Sequence, residues 1–208
     1  MPELKKRRKS RYGSKKRGQS LTSYAAVAGL VLVIVVLGAV WMLSHASSLD
    51  RGIHLDTRYE VTGSPTISAD FINQVLDYYG SPASGKGQAL YDLGAKYQID
   101  PVYALAFFMH ESSFGTTGVA RVTLSLGNIR ATAGYESYDG YRKYKTWEEG
   151  FEDWYRLIQK QYVQKWKLST IDRIVPVYAP SDDNNDVDAY IQSVENAVDS
   201  WRLGEVQI

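Results

Sequence analysis

The sequence predicts a mainly α-helical single domain with a small β-hairpin, preceded by one transmembrane helix. After residue 66, apolar residues recur every three or four positions in several segments, which is the period of amphipathic helices. Residues 119–145 lose that period and gain Gly, Tyr and β-branched residues, which favours loops and a short hairpin. Residues 24–43 form an uncharged apolar run of 20 residues. At 208 residues, the chain is long enough for one domain with appendages.

The apolar run over residues 24–43 has the properties of a membrane span. A helix of this length rises about 30 Å, the thickness of the hydrocarbon core of a bilayer. Tyr24 and Trp41 lie near its ends, where aromatic rings favour the interface. The formal net charge of +1 hides an uneven distribution, because residues 1–20 sum to +8 and the other 188 residues to −7. Since the basic residues precede the run, the positive-inside rule predicts a cytoplasmic N-terminus and an exported remainder.

Two other interpretations of the N-terminal region remain open. Ser44-His45-Ala46 resembles a signal-peptidase site, although the apolar core of a cleaved signal peptide is usually only about 7–15 residues long. The basic cluster is of a kind that binds nucleic acid, but beside a membrane span it also sets topology and attracts anionic lipid. We therefore expect a single-pass protein of the cell membrane that binds no nucleic acid. The predicted organisation is a basic cytoplasmic tail (1–22), a transmembrane helix (23–44), an extracytoplasmic linker (45–65), a globular domain (66–203) and a C-terminal tail (204–208).

Capping residues and turn signals define the first elements of the domain. Ser68 is the predicted N-cap of a first helix, and a second helix is expected from Lys86 to Tyr97, after a loop. Asp100-Pro101 starts a third helix. This helix is the most apolar of the domain, so we expect it to be central and buried. Asp139-Gly140 predicts the turn of the hairpin.

Three further helices are predicted after the hairpin. Thr146 and Glu149 form a capping box at the start of the first of them. A short helix from Ser169 to Val175 is expected to end at Pro176, because proline cannot donate a backbone hydrogen bond. Asp186 is the predicted start of the last helix.

Glu111 is the residue best suited to acid–base chemistry. It comes at the end of the most apolar helix, beside Phe107, Phe108 and Phe114. A partly desolvated carboxylate has a raised pKa, and a general acid that works near neutral pH needs one. The alternative is a solvated carboxylate at a helix C-terminus.

The composition argues against a metal or another cofactor. The absence of Cys excludes disulfides, thiolate metal sites and a cysteine nucleophile. Of the three His residues, His45 and His54 fall in the predicted linker, which leaves no multi-histidine metal site. Residues 182–186 are rich in oxygen ligands for Ca²⁺, but their spacing fits no EF-hand, so we expect a helix-capping loop there.

The segments around Glu111 resemble the glucosaminidase domains of bacterial wall hydrolases, in glycoside hydrolase family 73 and the lysozyme-like superfamily. The resemblance covers about residues 70–201, and four segments carry it: Ala106–Gly115, Ser125–Ala131, Tyr141–Tyr144 and Tyr178–Tyr190. It implies an α+β lysozyme-like fold and a peptidoglycan endo-β-N-acetylglucosaminidase, which cleaves the β-1,4 bond after N-acetylglucosamine. The expected partners are thus the glycan strand and the membrane, with no protein partner indicated.

Carried over by position, the resemblance makes Glu111 the general acid and Tyr144 a tyrosine of the site. Ser125, Asn128 and Ile129 then belong to the loop beside the cleft. This loop departs from the family, because it reads Ser-Leu-Gly-Asn-Ile-Arg where many members read Asn-Leu-Phe-Gly-Ile-Lys.

The hairpin supplies the remaining candidates. Some family members place a second carboxylate there, for which Glu136 is the nearest candidate and Asp139 the next. Tyr135, Tyr138 and Tyr141 are candidates for stacking on sugar rings.

Three functions remain open on the sequence alone. In a hydrolase, either a second carboxylate or the 2-acetamido group of the substrate assists Glu111. In a lytic transglycosylase, Glu111 acts as acid and then as base to give a 1,6-anhydro product. A non-catalytic wall-binding or scaffold protein is the third alternative.

Overall fold

The structure, a computed structural model, describes residues 57–208 and confirms a mainly helical fold with one small hairpin. The strand β1 (Ser137–Tyr138) pairs antiparallel with β2 (Tyr141–Arg142). A π-helical segment, Leu157–Lys165, continues one helix, and 3-10 turns lie at Thr57–Tyr59 and Ser181–Asp183. The α-helices are α1 (Ala69–Tyr78), α2 (Gly87–Tyr97), α3 (Pro101–Ser112), α4 (Ala120–Thr123), α5 (Trp147–Arg156), α6 (Ile171–Tyr178) and α7 (Val187–Arg202).

The predicted transmembrane helix, residues 23–44, and the tail before it lie outside the described residues. Between residues 57 and 208, no helix combines the length and the apolar character that a membrane crossing requires.

Helix α3 lies at the centre of the core. Every residue from Val102 to Phe108 is at most 2% exposed, so the helix is buried on all sides. It packs against α7 and α2. Asp100 caps its first turn by accepting a hydrogen bond from the backbone N–H of Val102 at 3.2 Å, and Pro101 occupies the first helical position. The prediction of a central buried helix is confirmed.

The predicted caps of three other helices are also formed. The hydroxyl of Ser68 accepts from the N–H of Phe71 at 3.1 Å, and Asp186 accepts from the N–H of Ala189 at 3.0 Å. The hydroxyl of Thr146 accepts from the N–H of Glu149 at 3.2 Å. In a capping box the carboxylate of Glu149 would accept from the N–H of Thr146. Here it accepts from the N–H of Lys145, one residue before the cap.

The prediction that a helix ends at Pro176 is wrong. Helix α6 continues through Pro176 to Tyr178, and the N–H of Ala179 still donates to the carbonyl of Val175 at 2.9 Å. Proline removes only the hydrogen bond to the carbonyl of Asp172, and Asp172 is exposed, so water can replace that bond. The buried side chains of Ile174 and Val175 hold the turn in place.

The end of the predicted linker packs onto the domain. Residues 45–56 lie outside the described part, but Tyr59 and Val61 are buried in the core. The N–H of Val61 donates to the carbonyl of Ser169 at 2.8 Å, and its carbonyl accepts from the N–H of Asp100 at 2.9 Å. The described domain therefore includes residues before 66.

A buried carboxylate attaches the hairpin to α5. The carboxylate of Asp153 accepts from the guanidinium of Arg142 at 2.6 Å and from the hydroxyls of Tyr144 at 2.6 Å and Tyr135 at 3.1 Å. Arg156 adds a fourth donor at 3.0 Å. The side chain of Asp153 is 3% exposed and that of Arg142 is 12% exposed, so this ion pair is largely removed from water. At the tip of the hairpin, Asp139 and Gly140 both have positive φ, as a two-residue turn requires.

Replacing Asp153 with Ala leaves the guanidinium of Arg142 buried without its carboxylate, which typically costs about 3–5 kcal/mol. We expect the free energy of unfolding, measured by urea denaturation of the full-length chain, to fall by about that amount. Asp172→Ala, on the exposed side of α6, is the matched control and should cost less than about 1 kcal/mol. Equal losses in the two variants would contradict the role given to Asp153.

Candidate active site

Glu111 lies in the wall of a cavity of about 410 Å³, a size that suits a small-molecule or oligosaccharide site. Three parts of the chain form this cavity: the end of α3 with the loop and hairpin that follow it, the π-helical segment, and the end of α6 with the loop before α7. The lining residues are Glu111, Asn128, Ile129, Arg130, Thr132, Tyr141, Arg142, Leu157, Gln161, Tyr162, Val177, Tyr178, Ala179, Pro180, Asp183 and Asn185.

Hydrogen bonds at the end of α3 bring the 125–130 loop beside Glu111. The hydroxyl of Ser112 donates to the carbonyl of Leu126 at 2.8 Å and accepts from the N–H of Gly115 at 2.9 Å. The side-chain amide of Asn128 donates to the backbone carbonyl of Glu111 at 2.7 Å. Asn128 has a φ of 44°, a left-handed conformation that Asn tolerates well.

Gly127 allows this loop to lie against the core. A Cβ atom at this position would lie 2.6 Å from Cδ1 of Trp154, closer than real Cβ contacts come. The carbonyl of Gly127 accepts from the hydroxyl of Tyr178 at 2.6 Å. The glycine that departs from the family's usual loop sequence is thus required by the packing of this chain.

Within residues 57–208, the carboxylate of Glu111 has one side-chain hydrogen bond. The hydroxyl of Tyr190, on α7, donates to Oε1 of Glu111 at 2.8 Å. The ring of Tyr190 is fixed by His110, which stacks on it with centroids 3.6 Å apart, and by Phe107 at 5.6 Å. Phe107 also contacts Trp154 and Tyr178, at 5.4 and 5.1 Å, so one buried ring supports three aromatic residues around the site.

Burial raises the pKa of Glu111 to about 7, against the opposing effects of the Tyr190 hydrogen bond and the nearby positive charge of Arg130. Burial also raises the pKa of Tyr162 to about 12 and that of Tyr178 well above its ordinary value. Near neutral pH, Glu111 therefore exists in both protonation states, while these two tyrosines stay neutral. A carboxyl group with this pKa can donate a proton to a substrate oxygen.

Of the residues predicted from the sequence, the structure brings Glu111, Asn128, Ile129 and Tyr141 together around this cavity. Ser125 lies outside it, buried, with a hydroxyl that has no hydrogen-bond partner among residues 57–208. The other predicted residues lie elsewhere on the hairpin.

Tyr144 and Glu136 do not line the cavity that contains Glu111. Tyr144 is buried against Asp153, and Glu136 pairs with Lys143 at 2.9 Å on the surface. Together with Tyr135, both line a second, smaller cavity of about 320 Å³. Tyr138 is exposed and lines neither of the two.

Tyr190, which donates to Glu111, and several residues of the cavity were not predicted as site residues. Tyr190 lies on the apolar stripe of the last helix, where its spacing indicates only a core residue. Gln161 and Tyr162 carry no sequence signal that separates them from surface or core residues, whereas Arg130 belongs to the segment Ser125–Ala131 that resembles the family. Tyr178 stands at the start of a segment that resembles the family, and that resemblance was the available signal.

The described residues do not provide a metal site. Between residues 57 and 208, no three or more Asp, Glu or His side chains are grouped so that they could hold an ion.

Comparison with known proteins gives a family and a fold. A family model described as Glucosaminidase, mannosyl-glycoprotein endo-beta-N-acetylglucosaminidase, matches residues 87–200. The crystal structure of S. aureus autolysin E in complex with the muropeptide NAM-L-Ala-D-iGlu is similar, with a TM-score of 0.50 and 11% identity over 70% of this chain and 72% of the other. A catalytic glutamate-to-alanine mutant of autolysin E, in complex with the disaccharide NAG-NAM, matches with the same values.

A further crystal structure of autolysin E has a TM-score of 0.50 and 12% identity, over 70% of this chain and 71% of the other. At these identities, the structural likeness concerns the fold. No curated protein sequence matches the chain significantly.

Replacing Tyr190 with Phe removes a hydrogen bond that lowers the pKa of Glu111. We therefore expect the pKa of Glu111 to rise further above 7, so that the group stays protonated to higher pH. A ¹³C NMR titration of the glutamate carboxyl groups in the full-length chain measures this, with Glu111→Gln identifying the signal.

Tyr138→Phe, at an exposed tyrosine of the hairpin, is the matched control and should leave the titration unchanged. If Tyr190→Phe also leaves it unchanged, the hydrogen bond does not act on Glu111 as described.

Proposed function

This chain belongs to the glucosaminidase family of glycoside hydrolases, and we propose that it hydrolyses the glycan strands of peptidoglycan after N-acetylglucosamine, with Glu111 as the general acid. One observation carries the proposal: Glu111 is a largely buried carboxyl group with a pKa of about 7 in the wall of an open cavity. The complexes of the similar autolysin E with muropeptide and with NAG-NAM support peptidoglycan as the substrate.

In the first step, the proton of Glu111 moves to the glycosidic oxygen as the bond between that oxygen and C1 breaks. The negative charge left on Glu111 is stabilised by the hydroxyl of Tyr190, which already donates to Oε1 at 2.8 Å. The tyrosine hydroxyl thus favours the form of the acid that exists after proton transfer.

The substrate itself supplies the second group of this mechanism. Glu136 lies outside the cavity that contains Glu111, which argues against its use as a nucleophile or base. The oxygen of the 2-acetamido group instead bonds to C1 as the leaving group departs. The carboxylate of Glu111 then takes a proton from water as the water oxygen bonds to C1, and the bond between C1 and the acetamido oxygen breaks, which restores the 2-acetamido group.

Membrane anchoring is part of the proposal and rests on the sequence. The basic tail over 1–22 and the apolar run over 24–43 are the arrangement of a single-pass protein with its N-terminus in the cytoplasm. The domain then lies outside the cytoplasmic membrane, on the side where peptidoglycan is found.

Digestion of purified peptidoglycan by the full-length chain, followed by mass spectrometry of the ends, tests the activity. We expect reducing N-acetylglucosamine ends, and a decrease in rate of about 10²–10⁴-fold in Glu111→Gln. The basic limb of the pH profile should fall as pH rises through about 7, because Glu111 then loses its proton.

Glu205→Gln, near the C-terminus, is the matched control for Glu111→Gln. Anhydro-muramic ends would identify a lytic transglycosylase instead, and no products at all would favour a wall-binding module. A large loss of rate in Glu136→Gln would contradict assistance by the substrate.

The topology can be tested with single cysteines, because the chain has none of its own. We expect a cysteine introduced at Asn196 to react with a membrane-impermeant maleimide added to intact cells, and one at Ser10 to react only after the membrane is permeabilised. Labelling of both positions in intact cells would contradict the proposed orientation.

A further inference from the structure

An ion pair joins two of the loops that line the cavity, and the proposed reaction does not use it. Nη2 of Arg130 lies 3.0 Å from Oδ2 of Asp183, and both residues line the same cavity as Glu111. The side chain of Arg130 is 72% exposed and that of Asp183 is 46% exposed. An ion pair so open to solvent is weak, and a competing carboxylate can replace Asp183 as the partner of Arg130.

The other arginine that lines the cavity, Arg142, cannot exchange its carboxylate partner for a ligand so easily. Arg142 is held by the buried carboxylate of Asp153 at 2.6 Å, and its guanidinium lies 4.0 Å from the centre of the Tyr135 ring. Among the described residues that line the cavity, Arg130 is thus the cation that can exchange its partner for a ligand.

The backbone holds Arg130 in a fixed position beside the reacting centre. Arg130 forms an isolated β-bridge with Tyr141 of the hairpin, and the N–H of Ala131 donates to the carbonyl of Gly140 at 2.8 Å. Two positions before Arg130, Asn128 is bonded to the backbone of Glu111. The positive charge of Arg130 is close enough to Glu111 to lower the pKa of Glu111. A ligand carboxylate bound to Arg130 therefore lies in the cavity where Glu111 protonates the glycosidic oxygen.

The proposed substrate carries such a carboxylate. In peptidoglycan, every second sugar has a lactyl ether that ends in a carboxylate or in a peptide with carboxylates of its own. A neutral polymer of N-acetylglucosamine has none. The guanidinium group binds carboxylates in a two-pronged geometry that few other groups match.

We infer that Arg130 binds the carboxylate of the lactyl-substituted sugar, in exchange for Asp183, and thereby selects peptidoglycan over neutral polymers of N-acetylglucosamine. This inference rests on the proposed function, because it names how the same cleft recognises its substrate. Asp183 holds Arg130 in position in the free protein and releases it when the substrate binds.

Binding to the full-length chain carrying Glu111→Gln tests the inference without turnover. The two probes are the NAG-NAM disaccharide with its free lactyl carboxylate and the neutral disaccharide of N-acetylglucosamine, titrated by calorimetry. Adding Arg130→Gln should weaken binding of the anionic probe about tenfold and that of the neutral probe less than twofold. Arg130→Lys should retain part of the preference, since it keeps the charge but loses the planar fork.

Arg173→Gln makes the same change of charge on the exposed face of α6, away from the cavity, and should alter neither affinity. Equal weakening of both probes by Arg130→Gln, or no weakening of either, would overturn the inference.

Turnover separates this inference from the proposed function. In the chain with an intact Glu111, Arg130→Gln should raise KM for NAG-NAM oligomers about tenfold with kcat changed less than twofold. If the chain without any substitution yields no products from peptidoglycan, the proposed function fails. The binding comparison then still reports on Arg130.

Asp183→Asn should tighten binding of the anionic probe, because it frees Arg130. If this variant instead abolishes turnover of both anionic and neutral substrates at unchanged affinity, Asp183 is a catalytic group, and the exchange of partners at Arg130 is wrong.

Discussion

The buried carboxylate of Asp153 is the contact on which the shape of the cleft depends. The hairpin has only two residues in each strand, too few to hold a position by pairing alone. Asp153 accepts hydrogen bonds from Arg142, Tyr144 and Tyr135, and so attaches the hairpin to a core helix. That attachment in turn fixes the wall of the cavity that Tyr141 and Arg130 line. Neighbouring Trp154 packs close to Gly127 in the loop beside Glu111, so α5 supports two sides of the cleft.

Helix α3 belongs to both the core and the site, and this explains the raised pKa of Glu111. The helix is buried from Pro101 to Phe108, and its last turn holds a carboxyl group in surroundings that favour the neutral form. Tyr190 provides a single hydrogen bond, which moderates the effect of burial without cancelling it. A positively charged partner in contact with Glu111 would hold the pKa of Glu111 much lower and leave no proton to donate near pH 7.

Local signals in the sequence were sufficient for most of the helices and for singling out Glu111, and insufficient for the short helix α4, for the end of α6 and for the rest of the site. Caps such as Asp100 and Asp186, with the helical period that follows them, define helices because they depend on a few neighbouring residues. The side of the hairpin on which Glu136 or Tyr144 lies depends on the pairing register, because a shift of one residue moves each side chain to the opposite face. Tyr190 could not be separated from core residues by spacing, since the same face of α7 packs on α3 and reaches Glu111. The encounter of Arg130 with Asp183 joins loops 53 positions apart and has no local signature.

Substitutions at Phe107 and at the exposed ion pair of Arg130 with Asp183 differ in how much of the structure they disturb. The ring of Phe107 touches Trp154, Tyr178 and Tyr190 together, so any replacement must satisfy three aromatic neighbours at once. The side chains of Arg130 and Asp183 are largely exposed to solvent, so their replacement disturbs the packing less. Over evolution, we therefore expect substitutions to be tolerated more easily at this ion pair than at Phe107, which packs against the tyrosine that is hydrogen-bonded to Glu111.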